Sequence, residues 1–482
     1  MGHWSSLHLQ GHEQVRYFHA FKFFIRSIFL NLSELTSTLA LLVVLFHVGP
    51  FRRTARPGAI MDFMSRGSQE WTPLKDPYDE VLFPKDDNVK EGAPNNRSYY
   101  YVTGADPTVD SIIDRVDPGN EVLKERVRTY MEVCSDINSG FTALGISRIL
   151  PSWLQFLVED KVNRLHKYAS FTVRDVQHAV LNLDYTPKIL LSSKTLPKAP
   201  EGADPDLAIR RLKGILCHPI GDYAVQPRDA TMAAHGVTMA HYMGGAAYTV
   251  GATQKISIRL TSMVRNFGGE VLVDATVRGI IIENGRAVGV KVCNTSALQN
   301  GETNVPVTEI RAKNIVCATS IYNLYNKFLP QGLDIVREFK DPVNRTVQQS
   351  NGHVFLFCKI KGDATDLKLP THNLWYFNNY DLDTAFDKYF QTPTEVRPPT
   401  VYIGFPCTKD TTWKRKFAAA SLFLIPGVIS FANAPFPFFL QAASPVLATV
   451  SSSLMASTSG LKSGLTNLRE IEELITLSSK TN

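Results

Sequence analysis

The chain has 482 residues, 44% of them hydrophobic and 20% charged, which is the composition of a globular protein with room for two or three domains. The net charge of +6 is a small excess spread along the chain, so nucleic acid is not an expected partner. None of the six cysteines forms a CxxC pair, and their apolar neighbours predict core residues rather than disulfides or a metal site.

The first 56 residues lack the pattern of a folded domain, and they contain one long apolar run. Leu35–Phe51 is 17 residues without a charged side chain, at the low end of the ~17–25 residues that a membrane span needs. Lys22 and Arg26 precede the run, and Arg52 and Arg53 follow it. The run predicts either a single-span membrane anchor or a buried core helix.

Residues 57–240 are predicted to be mainly helical. Apolar residues at spacings of three and four predict helices over Asp110–Ser135, Arg148–His166 and Leu207–Leu216. A further helix is expected at Phe171–Val180, with Thr172 as its N-cap. This region therefore has the pattern of a helical cap.

The following stretch predicts a helix and a β-hairpin. The helix ends at Asn266, and two strands follow at Glu270–Glu283 and Val288–Cys293. Asn284-Gly285 between them predicts a tight turn because both residues tolerate positive φ. A third strand is expected at Glu309–Val316, and then a helix over Ile321–Phe328.

The last third of the chain changes character at about residue 417. Before that point, antiparallel strands are predicted at Val354–Lys361, Trp375–Phe377 and Val401–Phe405, with a helix over Asp381–Phe390. After it, Phe417–Leu461 has no charged residue and contains four prolines, which interrupt helices. This segment predicts a low-complexity tail without a fold of its own or, alternatively, a two-helix membrane hairpin.

The sequence contains none of the short motifs that would fix a reaction. A GxGxxG turn after a strand would hold the pyrophosphate of a dinucleotide at a helix N-terminus, and no such turn occurs. A Walker loop, a GxSxG elbow and an HExxH pair are absent too. The residues alone therefore predict no metal site, and the catalytic residues are unknown.

Several segments, in a fixed order, carry a resemblance to a known family. They are HYMGGAAY at 241–248, ATV at 275–277, Asn323–Pro330 and Gly362–Pro370. Over about residues 57–426 the chain resembles the phytoene desaturase, carotenoid isomerase and retinol saturase family of FAD-dependent oxidoreductases. The family chemistry is hydride transfer between a flavin and a conjugated C=C of an isoprenoid.

The resemblance implies a mixed α/β fold, with an incomplete FAD-binding Rossmann-like domain and a substrate domain of helices and an antiparallel sheet. It divides the chain into five segments. Residues 1–56 are a non-homologous N-terminal segment with a candidate membrane anchor, and residues 57–240 are a mainly helical substrate or cap region. Residues 241–330 are the remaining part of the FAD-binding domain, residues 331–416 are an antiparallel-sheet substrate domain, and residues 417–482 are a low-complexity apolar tail. The implied cofactor is FAD, possibly with NAD(P). The implied partners are a lipophilic isoprenoid and a membrane surface or single-span anchor, in the endoplasmic reticulum or a plastid.

Individual residues take roles only through this resemblance. Val277 would bind adenine through its backbone, and Cys317 and Ala318 would lie at a strand end near the cofactor's diphosphate. Tyr242, Met243 and Tyr248 would line the pocket for the polyene substrate.

Two parts of the family pattern have no counterpart in the sequence. The glycine-rich opening unit would fall in residues 1–56, and the segment that caps the flavin ring would fall in residues 417–482. Two functions therefore stay open. The chain is an FAD-dependent oxidoreductase, or it is a catalytically inactive truncated member that retains the substrate domain and part of the flavin site.

Overall fold

The computed structural model describes residues 64–84, 98–346, 352–392, 398–413 and 417–427. Their contacts divide into two compact units, each treated by itself. The small unit is residues 257–346, and the large unit is residues 64–256 together with 352–427. The mixed helix-and-sheet class predicted from the sequence is confirmed, while the five-part division of the chain stays a prediction.

The large unit contains a six-stranded sheet. Its strands in chain order are β2 (Asp79–Leu82), β3 (Ser98–Tyr101), β8 (Gly352–Lys361), β9 (Asn373–Phe377), β10 (Thr400–Gly404) and β11 (Phe417–Gly427). They lie in the order β3-β2-β9-β10-β11-β8. The β2–β9 pair is parallel and the other pairs are antiparallel. A separate two-stranded sheet joins β1 (Trp71–Pro73) to β4 (Ala247–Thr249).

Helices of the large unit pack around this sheet. They are α1 (Ala105–Val116), α2 (Glu121–Ser147), α3 (Phe156–Ala169), α4 (Val173–Leu183), α5 (Pro187–Ser192), α6 (Leu207–Ile215), α7 (Ile220–Tyr223), α8 (Met232–Tyr242), α13 (Leu382–Gln391) and α14 (Pro406–Lys409). In α2, Val127, Tyr130, Cys134 and Ile137 are fully buried at spacings of three and four. Burial of each such side chain contributes about 1.5–3 kcal/mol, so this face anchors α2 in the core.

Capping residues explain where several of these helices begin. The Thr172 hydroxyl accepts a hydrogen bond from the Asp175 N–H, which confirms the predicted N-cap of α4. The single helix predicted over Asp110–Ser135 is wrong. The chain breaks after Val116, turns through Gly119 with φ of +80°, and restarts with the Asn120 side chain capping α2.

The small unit is built around a three-stranded antiparallel sheet, β5-β6-β7. Its strands are β5 (Ala275–Glu283), β6 (Arg286–Asn294) and β7 (Val307–Arg311). Asn284 and Gly285 have φ of +49° and +73°, so the predicted hairpin turn is confirmed. A β-carbon at Gly289 would lie 2.5 Å from the Ile310 carbonyl oxygen, so only glycine fits there.

The helices of the small unit are short. They are α9 (Gln254–Asn266, which enters from the large unit), α10 (Thr295–Gln299), α11 (Ile321–Asn323) and α12 (Asp334–Thr346). The predicted end of α9 at Asn266 is confirmed. The helix predicted over Ile321–Phe328 is only partly right, because a π-helical turn replaces it at Leu324–Phe328. The predicted strand Glu309–Val316 is also wrong in extent, because β7 ends at Arg311.

Two sequence-based expectations concern the apolar ends of the chain. Phe417–Gly427 forms β11 between β10 and β8, so the first part of the expected tail belongs to the sheet. Leu35–Phe51 and residues 428–482 lie outside the described residues. Within the described ranges, no helix combines the length and the hydropathy needed to cross a membrane.

Candidate functional site

A buried polar cluster lies where β2 and β9 run side by side in the large unit. Asp79 begins β2 and Asn373 begins β9, and the parallel register pairs these two residues directly. The Asn373 amide nitrogen donates to one Asp79 carboxylate oxygen at 2.6 Å, and His218 Nε2 lies 2.7 Å from the other. Both carboxylate oxygens therefore have partners, as a buried carboxylate requires.

His218 is held by aromatic rings as well as by Asp79. Its ring stacks on Tyr101, with centroids 4.1 Å apart, and Trp375 and Tyr242 meet it edge-on at 5.4 and 6.4 Å. The side chain is almost fully buried, yet its Nδ1 has no hydrogen-bond partner in the described structure. One ring nitrogen thus contacts Asp79, and the other is buried without a hydrogen-bond partner.

Lys409 and Tyr402 extend the cluster on the other side of Asn373. Both donate to the Asn373 side-chain oxygen, Tyr402 through its hydroxyl at 2.7 Å and Lys409 through Nζ. Burial lowers the pKa of Lys409 to about 8, although the negative charge of Asp79 opposes that shift. The cluster thus holds a lysine that can lose its proton at mildly basic pH.

Tyr242 forms the outer part of the cluster. Its hydroxyl and the Asp222 carboxyl group interact, and each shifts the pKa of the other. Desolvation by the surrounding protein raises the pKa of Asp222, although the residue is exposed. The pKa of Tyr242 is also raised, first by desolvation and then by the Asp222 charge. The ring of Tyr242 therefore lies between the Asp222 interaction and its edge contact with His218.

Met243 and Tyr248, the other predicted substrate residues, follow Tyr242 in the chain and are half-buried. Met243 caps the end of α8, and its carbonyl accepts the Gly104 N–H at 2.8 Å. Tyr248 lies in β4, where desolvation and then the Asp410 charge raise its pKa. All three residues thus belong to the large unit, and the ring of Tyr242 lies against His218.

The predicted cofactor residues lie in the small unit. Val277 is in β5, opposite Val292 of β6, and its side chain is 39% exposed. Cys317 is half-buried and Ala318 is exposed. Both follow β7 in a segment without strand structure, so the expectation that they sit at a strand end is wrong. Their roles toward a cofactor stay predictions.

These residues fit only one wall of a flavin nucleotide site. β5 is the outer strand of its sheet, so its backbone could meet an adenine ring. The π-helical turn packs near it, because a β-carbon at Gly279 would lie 3.5 Å from the Phe328 carbonyl oxygen. A diphosphate needs several backbone N–H groups at a glycine-rich helix start, and the described part of the small unit has no such turn.

A second polar site of the large unit is a cavity of about 530 Å³ beside α13. Arg228 binds Asp387 with both terminal nitrogens, at 2.6 and 2.7 Å, and its backbone N–H donates to Asp383. Burial raises the pKa of Asp383 to about 6, although the Arg228 N–H and the Arg174 charge oppose the shift. Arg228 and Asp387 therefore neutralise each other, and we interpret both as structural residues.

Sequence reasoning missed Asp79, His218, Asp222 and Lys409. Asp79 and His218 are 139 residues apart in the chain, and neither lies in a recognisable motif. Only the aromatic segment that contains Tyr242 gave a signal in the sequence.

Comparison with curated proteins finds relatives over most of this chain. An all-trans-retinol 13,14-reductase from Danio rerio is 23% identical over 397 residues, which are 81% of this chain and 58% of that protein. A chloroplastic prolycopene isomerase from Daucus carota is 35% identical over 91 residues, 19% of this chain and 13% of its own length. Over most of its length the chain is similar to proteins of the retinol saturase and carotenoid desaturase family.

One matched protein is described as inactive, and the matched reductases are longer than this chain. An inactive all-trans-retinol 13,14-reductase from Danio rerio is 20% identical over 210 residues, 43% of this chain and 33% of that protein. The chain also spans little more than half the length of the all-trans-retinol 13,14-reductases that it matches, 54% to 58%. No family model matches the chain. None of these relatives supports NAD(P) as a co-substrate.

Proposed function

We propose that the chain is an oxidoreductase of the retinol saturase type that acts on a conjugated C=C of a retinoid or carotenoid. The observation that carries the proposal is the Tyr242–Asp222 pair in front of His218, itself bound to Asp79. The names of the relatives point to the same substrate class, since both a retinol and a prolycopene are conjugated isoprenoids.

The large unit would bind the substrate in this proposal. Tyr242, Met243 and Tyr248 would supply flat, apolar contact area for a polyene, which gains binding free energy mainly by leaving water. Because such a substrate is lipophilic, a membrane-associated location is part of the proposal. The prediction of an endoplasmic reticulum or plastid location goes with it.

Saturation of a C=C adds a hydride to one carbon and a proton to the other. A flavin would supply the hydride when bound, and the residues of this chain would supply the proton. The Tyr242 hydroxyl would donate it, and the neighbouring Asp222 carboxyl group would replace it. His218 would keep Tyr242 in position through ring contact, with Asp79 fixing the His218 tautomer.

The test is formation of a dihydro product by the purified full chain. All-trans-retinol would be incubated with the chain, added FAD and dithionite as reductant, and the products separated by mass. We expect a product two hydrogens heavier than the substrate, and Asp222→Asn should reduce its rate by about 10²-fold or more. Product formed at the same rate by Asp222→Asn would show that this pair is not the proton source.

A second candidate function is isoprenoid binding without catalysis. It is favoured by the relative described as inactive and by a small unit that fits only one wall of a flavin site. Flavin absorbance separates the two candidates. The chain should be colourless and still bind retinol if it is inactive, whereas released FAD in stoichiometric amount would support the oxidoreductase.

A further inference from the structure

The hairpin formed by α2 and α3 displays four large apolar side chains to solvent, one on α2 and three where the turn leads into α3. These side chains, named the tip patch, are Phe141, Trp153, Phe156 and Leu157. They are 55%, 70%, 65% and 63% exposed, in that order. Single exposed apolar residues are common on proteins, but several large ones within one turn mark an interaction surface.

The turn that carries the tip patch is well packed rather than loose. α2 and α3 approach so closely at Gly140 that a β-carbon there would lie 2.7 Å from the Lys161 carbonyl oxygen. The Gln155 side chain donates to the Ser147 carbonyl at 3.2 Å and to the Leu150 carbonyl at 3.5 Å. Trp153 and its neighbours are therefore held outward by a fixed backbone.

The composition of the turn fits a lipid surface. Tryptophan and phenylalanine rings are favoured at the boundary between lipid headgroups and acyl chains. Residues 148–167 carry four basic and two acidic side chains, and Asp160 is paired with Arg164 at 3.0 Å. Arg148 and Lys161 are exposed and make no ion pair in the described structure. These two cations outnumber Glu159, the unpaired acid of the same segment.

We propose that the tip patch docks this protein on the surface of a lipid bilayer. Trp153, Phe156 and Leu157 enter the boundary between headgroups and acyl chains, and Arg148 and Lys161 face anionic headgroups. The hairpin lies on the membrane and does not span it. The proposal is independent of the proposed reaction, because docking needs neither substrate nor cofactor.

The test is quenching of Trp153 fluorescence by brominated acyl chains. The full chain would be titrated with vesicles of brominated phosphatidylcholine and phosphatidylserine, and Trp153→Phe would be titrated in parallel. The difference between the two isolates Trp153 from the other four tryptophans. We expect quenching of Trp153 that weakens when phosphatidylserine is left out.

The double variant Phe156→Ser/Leu157→Ser should raise the lipid concentration needed for that quenching by about tenfold or more. Val122→Ser is the matched control, since Val122 is 63% exposed near the start of α2, outside the tip patch. Circular dichroism would verify that each variant is folded.

Three results would overturn the proposal. One is the absence of a Trp153 component in the quenching. Another is an equal lipid requirement for the double variant and Val122→Ser. The third is a dimer in light scattering that the double variant abolishes, without any Trp153 quenching, because the patch would then bind a second copy of this chain.

Discussion

The two units differ in what they bury. The large unit encloses an extensive apolar core and, within it, the ionisable side chains of Asp79, His218 and Lys409. The described part of the small unit buries few apolar side chains, among them Ile281, Val292 and Val336. Buried ionisable groups and perturbed pKa values cluster at functional sites, so this polar cluster is where we place the proposed function.

The largest difference between the units should follow from Asp79→Leu. The substitution leaves His218 Nε2 and the Asn373 amide buried without their acceptor, so the free energy of unfolding should fall by about 3–5 kcal/mol. Val277→Ser in the small unit should change it by less than about 1 kcal/mol, because that side chain is partly exposed. Urea unfolding followed by tryptophan fluorescence measures the loss in Asp79→Leu, since the described tryptophans all lie in the large unit, and amide hydrogen exchange of β5 measures the change in Val277→Ser. Similar losses in both variants would contradict the comparison.

Gly289→Ala would perturb the small unit selectively. The new β-carbon would collide with the Ile310 carbonyl oxygen and weaken the pairing of β6 with β7, at a cost of about 2 kcal/mol or more. Hydrogen exchange should show faster exchange at the β7 amides. The tryptophan-detected transition of the large unit should keep its wild-type midpoint, and a shifted midpoint would argue against independent units.

Lys409→Met should stabilise the large unit at pH 7. The pKa of Lys409 is about 8 in the folded protein and 10.5 in the unfolded chain, so folding costs free energy at every pH below about 8. That cost disappears as the pH rises from 8 to 10.5. The variant should therefore be more stable by about 1–2 kcal/mol at pH 7, with little difference near pH 10.5. Equilibrium unfolding at both pH values measures this difference in free energy. A variant less stable than the wild type at pH 7 would refute the prediction.

Asp383→Asn should have the smallest effect. The pKa of Asp383 is raised to about 6 from 3.8, so the wild-type chain loses stability as the pH rises from about 4 to 6. The cost is fully present above pH 6 and absent below 4. We expect the variant to gain about 1 kcal/mol at pH 7 and nothing at pH 4, measured from unfolding midpoints. A constant difference across this range would mean that Asp383 is not the titrating group.

The elements with local signals could be predicted from the sequence. The Asn284-Gly285 turn and the Thr172 cap were found because each depends on residues adjacent in the chain. The strand β11 was missed, since its alternation is hidden in an apolar, alanine-rich run and its pairing partners β8 and β10 are distant in sequence. The polar cluster could not be predicted either, because only tertiary packing brings Asp79 into contact with His218, which is distant in the sequence.

The central claim is that the large unit binds an isoprenoid at Tyr242. The most direct measurement is a fluorescence titration of the purified full chain with all-trans-retinol, repeated for Tyr242→Ala. Tyr322→Ala is the matched control, since Tyr322 is a 43%-exposed tyrosine of the small unit. We expect at least about tenfold weaker binding for Tyr242→Ala and unchanged binding for Tyr322→Ala, because loss of a buried aromatic contact costs about 1.4 kcal/mol or more. Equal affinities in all three proteins would contradict it.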